Sequence, residues 1–240
     1  MDTIKKLRRF AVVGILSVSV SGLLNTGSVG AVTVAPTLSD VKASVVAGRS
    51  LTAPERQLLA TTAAKLMGED PALIEAIITL EPKAIKALPV KEKTVVSPTI
   101  TSTTMALMAS CTSSTSSRTA TKYSYNITGD KVYRYKLTKH WSWSTCTHRV
   151  NDSDFLSSDD IEGYVYGAFQ WAWDYNGTTS HSGNYYTFNG YTNGGHTSLV
   201  RGKFKYCISV PFIGNVCPQT HAPWLKVNAH YNGSSAVYTG

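Results

Sequence analysis

From Lys122 onward, apolar and aromatic side chains recur at every second position, and that period of two constrains the fold more than any other feature. Tyr123, Tyr125 and Ile127 alternate with polar residues until Gly129-Asp130 breaks the run. Val132 to Leu137 and Trp141-Ser142-Trp143 resume it. Ile161 to Tyr175 is the clearest strand, with Val165, Phe169, Trp171, Trp173 and Tyr175 on one parity, and Asn176-Gly177 predicts a turn after it. Tyr185 to Tyr191 is a short run closed by Asn193-Gly194-Gly195. Leu199 to Val210 puts Val200, Phe204, Tyr206, Ile208 and Val210 on one face, against Arg201, Lys203 and Lys205. Trp224 to Tyr231 and a last strand ending at Tyr238 flank the turn Asn232-Gly233. A chain written this way forms half-buried strands rather than helices. Seven or eight such strands predict a mainly β unit over residues 122–240, an antiparallel β-sandwich of Greek-key-like form or a small barrel.

The first half has a different grammar. Phe10 is its sole aromatic residue before Tyr123, although the chain holds 6 Phe, 5 Trp and 13 Tyr. Residues 1–31 read as an export signal: Lys5, Lys6, Arg8 and Arg9 precede the apolar stretch Phe10–Leu24, and Val29-Gly30-Ala31 supplies small residues for cleavage between Ala31 and Val32. Residues 32–90 predict a small α-helical unit that can also serve as a pro-segment. Thr52-Ala53-Pro54-Glu55 is a capping box, Gly68 closes the helix that follows, and Asp70-Pro71 opens another with Leu73, Ile74, Ile77, Ile78 and Leu80 on its apolar face. Turns of helix are also expected over Thr37–Val46 and near Lys83–Leu88. So few aliphatic residues make a thin core, so this unit must lean on another. Residues 91–121 have a linker's composition, with Ser and Thr dominating from Thr94 to Thr121. Cys111 leaves open a second reading, in which the later half is a first strand.

Cysteine usage agrees with an exported, extracellular protein. Cys111, Cys146, Cys207 and Cys217 are an even set with no C-x-x-C spacing, so disulfides are expected rather than a metal site. Pro211 and Gly214 suit a turn that brings Cys207 to Cys217, and elimination pairs Cys111 with Cys146. The net charge of +8 falls to +5 once the signal's four basic residues and Asp2 are removed. No dense Lys/Arg stripe interleaves with aromatics, which argues against a nucleic-acid partner. No segment after the signal is apolar enough for stable membrane insertion.

No catalytic residue is assigned. The six His (His140, His148, His181, His196, His221, His230) lack any metal-ligand spacing, and neither a metal nor a cofactor is expected. The acidic group Asp152, Asp154, Asp159, Asp160 and Glu162 departs from a calcium-loop pattern and reads as a solvated turn. Asn126, Asn151, Asn176 and Asn232 lie in glycosylation sequons. The aromatic surplus is more suggestive, because a sandwich of this size cannot bury so many rings. Exposed Tyr and Trp stack on sugar faces and anchor protein interfaces. Trp141, Trp143, Tyr185, Tyr186 and Tyr191, near turn-rich segments, are the candidate binding residues. The partner class is a cell-envelope polysaccharide or an extracellular protein, and the expected role is non-catalytic binding. A secreted hydrolase with a helical pro-segment and a pore-forming toxin are the competing classes.

Phe204-x-Tyr206-Cys207, Cys217-x-Gln219, Pro223-Trp224-Leu225-x-Val227 and Asn232-Gly233-Ser234 resemble exported proteins of Gram-positive, actinomycete-type bacteria. The resemblance is strongest over Cys207–Ser234 and loose over the rest of the β unit. It implies a secreted β-rich fold and a bacterial host, and carries no activity with it.

Overall fold

The computed structural model describes residues 34–99, 111–151 and 159–240, and Ala35–Gly240 make one compact unit. The export signal, Ala31-Val32, Asp152 and Asp154 lie outside the described residues. Four helices come first: α1 (Leu38–Val46), α2 (Ala53–Met67), α3 (Pro71–Leu80) and α4 (Ala84–Ala87). Each boundary has a local cause. The Asp40 carboxylate accepts from the backbone N–H and hydroxyl of Thr37 at the start of α1. Glu55 does the same for Thr52 at the start of α2. Gly68, in the left-handed conformation at φ 67°, ends α2. The Asp70 carboxylate caps Ala72 N–H at the start of α3.

Ten strands follow: β1 (Pro89–Thr99), β2 (Ser113–Asn126), β3 (Lys131–Ser144), β4 (Arg149–Asn151), β5 (Asp160–Val165), β6 (Trp173–Phe188), β7 (Tyr191–Val210), β8 (Gly214–His221), β9 (Trp224–His230) and β10 (Ser235–Thr239). They form two antiparallel sheets, the mainly β, sandwich-like architecture expected. The first runs β1-β2-β3, with β4 and β5 sharing the far edge of β3. The second runs β10-β9-β7-β6, with β8 pairing the later half of β7. Between the sheets, Tyr133 of β3 stacks on Phe204 of β7 with ring centroids 4.1 Å apart. Tyr135 and Leu137 from one sheet, and Val200, Tyr206, Leu225 and Val227 from the other, complete this core.

Several expectations change. Residues 91–99 are strand rather than spacer, and 113–121 are strand as the second reading has it: Val95 pairs with Thr121 and Val96 with Ala120. β-branched Thr suits a pleated surface. The helices share one core with the sheets. Their buried Leu59, Ala63, Ile74, Ile77 and Leu88 belong to the same core as Trp173, Tyr206 and Ile208. Trp173 Nε1 donates to Ala87 O at 2.8 Å, and Asn126 Nδ2 donates to Lys86 O at 2.8 Å. Ile161–Tyr175 is not one strand, because a 3-10 turn over Gly167–Phe169 interrupts it and drops Phe169 into the core. Asn176-Gly177 is a bulge inside β6 rather than a turn, and the hairpin sits instead at Asn189-Gly190, both with positive φ.

Cys207 and Cys217 form a disulfide across β7 and β8. The second expected bridge is absent: Cys111 and Cys146 are free and exposed. They flank the end of the β2–β3 ladder, whose last contact is Thr145 N–H donating to Thr112 O at 2.9 Å. Beyond it the chain turns away, with Cys146 N–H donating to Ser144 Oγ at 3.2 Å. Among the sequons, Asn126 is buried and its amide is committed to Lys86 O, so it is no glycan acceptor.

Candidate ligand-binding groove

In a sheet, side chains on one face of neighbouring strands come into register. On β7 the inward face carries His196, Ser198 and Val200, all buried. The outward face therefore carries Gly195, Thr197 and Leu199. The pairings Tyr186–Gly195, Asn184–Thr197 and Ser182–Leu199 bring in β6. The pairings His230–Gly195, Asn228–Thr197 and Lys226–Leu199 bring in β9. The pairing of Tyr238 with Lys226 adds β10. On this face lies a groove of about 370 Å³, bounded by Ser182, Asn184, Tyr186, Thr197, Lys226 and Asn228.

The groove has one aromatic wall and a polar floor. Tyr186 lies flat across Gly195, where a Cβ would stand 2.3 Å from the ring. Its Oη makes no hydrogen bond to any described residue. Burial, with a smaller contribution from Tyr238, pushes its pKa up to about 12, so the hydroxyl keeps its proton at neutral pH. Thr197 Oγ1 donates to Asn228 Oδ1 at 2.9 Å, which fixes the amide and leaves its NH₂ group directed elsewhere. Lys226 Nζ sits 5.4 Å from the Tyr238 ring centroid, a cation–π contact that holds the ammonium near the groove.

Past Tyr186, the same end of the molecule carries a rim of stacked rings. Phe188 stacks on His230 at 3.7 Å and Tyr191 on His148 at 3.9 Å. Tyr231 packs edge-on against Tyr191 at 5.3 Å and His148 at 5.1 Å. The β3–β4 turn, the β6–β7 hairpin and the β9–β10 turn thus meet through their aromatics. Burial lowers the pKa of His230 and favours the neutral ring that stacks there.

The expected binding residues divide between surface and core. Tyr191 and Tyr185 are exposed at 42% and 37%, Tyr191 in the rim and Tyr185 edge-on to His196 at 4.9 Å. Tyr186 lines the groove itself. Trp143 is half-buried, and its Nε1 donates to Ser116 Oγ at 2.9 Å. Trp141 is 4% exposed and packs on Val150 and Ala229, so it is a core residue and no ligand platform. Its inward parity on β3 follows from Leu137 and the buried Lys139. Sequence reasoning missed Asn184, Thr197, Lys226 and Asn228, whose signal was their parity opposite to the buried face of β7 and β9.

The other candidate chemistry is accounted for by structural contacts. Glu162 forms ion pairs with Lys136 at 2.9 Å and with Arg134, and these partners lower its pKa. Asp160 pairs with His140 at the surface. Tyr133 Oη lies 2.6 Å from His221 Nδ1 and also reaches Glu92, which bridges to Lys122 at 2.6 Å. No group of three or more His, Cys, Asp or Glu among the described residues is arranged to hold a metal ion. No described helix is long and apolar enough to cross a membrane.

Comparison with protein-family models, curated proteins and solved structures finds no match to this chain.

Proposed function

We propose that this chain is an exported, non-catalytic binding protein acting at or outside the cell envelope, with the outer face of its second sheet as a polysaccharide-binding groove. The observation that carries this reading is Tyr186: a ring laid flat over Gly195 on the groove wall, beside Asn184, Thr197 and Asn228. An aromatic face takes the apolar side of a pyranose, while amides and hydroxyls exchange hydrogen bonds with its rim. The titratable residues lining the groove are Tyr186 and Lys226, so it lacks the paired carboxylates that glycoside hydrolysis generally needs. Export is supported by the basic and then apolar amino terminus and by the Cys207–Cys217 bridge.

The test is retention of the purified full chain on insoluble cell-wall polysaccharide, alongside Tyr186→Ala and Asn228→Ala. Wild type should be retained, and each substitution should weaken binding about tenfold, the equivalent of one lost stacking or paired polar contact. Passage of the wild type through every glycan and envelope fraction would refute the proposal.

A further inference from the structure

Lys139 of β3 is fully buried, which is rare for a lysine unless it is paired. It lies between the inward-facing Leu137 and Trp141, both also buried. Thr138 pairs with Asp160 across the β3–β5 ladder, which makes Lys139 and Asp159 the next opposed positions. The Asp159 side chain is as completely buried as that of Lys139, and Lys139 Nζ lies 3.7 Å from Asp159 Oδ1. From the facing sheet, Ser198 Oγ accepts from Nζ at 2.9 Å and orients the amine. His181 Nε2, on β6, lies 2.9 Å from the other carboxylate oxygen, Oδ2, and its side chain is 19% exposed.

We infer that Lys139 and Asp159 are joined by an intramolecular isopeptide bond, a covalent modification site built into the core. Holding an ammonium and a carboxylate away from water is costly, and condensing them to a neutral amide removes both charges. Within such a pair, proton transfer leaves an amine and a carboxylic acid, the two partners that condense. The Nζ lone pair attacks Asp159 Cγ, forming the C–N bond. The Cγ–Oδ2 bond then breaks, and Oδ2 leaves as water. His181 hydrogen-bonds that oxygen, gives it a proton and recovers one from the nitrogen, so the imidazole is unchanged. One amine and one acid become one amide and one water, with no oxidant, reductant or activated donor. With Nζ 3.7 Å from Oδ1 and held by Ser198, and Oδ2 held by His181, the amine and the carboxyl group are kept together in one buried site. The product ties the start of β5 to β3 and closes the chain between residues 139 and 159 into a ring.

Mass spectrometry of the full chain, reduced, alkylated and denatured, tests this directly. The wild-type mass should fall one water short of the sequence mass counted from its measured amino terminus. Trypsin should spare Lys139, and tandem fragmentation should show residues 137–149 and 150–201 joined through Lys139 and Asp159, with two amino termini in one species. Lys139→Met should differ from wild type by the substitution plus one water. A wild-type chain of full sequence mass that is cut after Lys139 would overturn the inference, whatever the variants do.

Discussion

At the scale of single residues, the groove depends on an absence. Gly195 has no side chain, so the Tyr186 ring can lie against the sheet instead of standing away from it. A methyl group there would collide with Cζ and both Cε atoms of that ring, all within 2.7 Å. Gly195→Ala should therefore lift the ring, weaken polysaccharide binding about as much as Tyr186→Ala does, and cost about 1–3 kcal/mol of stability from overpacking. Affinity and the urea midpoint, measured on the same sample, check both parts. Wild-type affinity in Gly195→Ala would show that the flat ring is not what the ligand meets.

At the scale of elements, the helices and sheets stand or fall together. Trp173 is in contact with Tyr133, Tyr206 and His221, and its indole N–H is bonded to Ala87 at the end of α4. Trp173→Ala should cost about 3–5 kcal/mol. Helical circular dichroism and aromatic fluorescence should still report one coincident transition at a lower denaturant concentration. A helical unit that melts separately would contradict the shared core. This is also where the sequence was most and least informative. Capping at Thr52 and Asp70, the turn at Gly129-Asp130 and the buried face of Val200 to Val210 were legible because each is settled within a few neighbouring residues. The break at Gly167–Phe169 was not, because the aromatic alternation continues through it and only the tertiary demand to bury Phe169 creates it. Asn176-Gly177 and Asn189-Gly190 both supply left-handed glycines, and strand pairing decides which makes the hairpin. The groove was half legible. Tyr186 was found as a surplus aromatic, whereas its polar partners come from β7 and β9, which only the sheet order brings together.

At the scale of the whole molecule, buried histidines make the fold sensitive to acid. Burial holds His196 down to about 3. Burial likewise takes His221 down to about 4, against the opposing pull of Glu92. An unfolded chain takes up these protons near the ordinary histidine value of about 6.5, whereas the folded chain refuses them. Stability should therefore be complete near neutrality and fall by a few kcal/mol as pH drops from about 6.5 toward 4. The depressed Glu162 pKa adds a loss of the same sign at lower pH. Urea midpoints measured from pH 7 to 4 would contradict this if they stayed level.

Asn184, Thr197, Lys226 and Asn228 line the groove on the outer face of the second sheet. The most direct measurement is an amide chemical-shift map of the isotope-labelled protein titrated with soluble cell-wall polysaccharide. Shifts should concentrate on Asn184, Tyr186, Thr197, Lys226 and Asn228. No shifts at saturating polysaccharide, or shifts confined to the helices and the first sheet, would contradict the assignment of this face as the binding site.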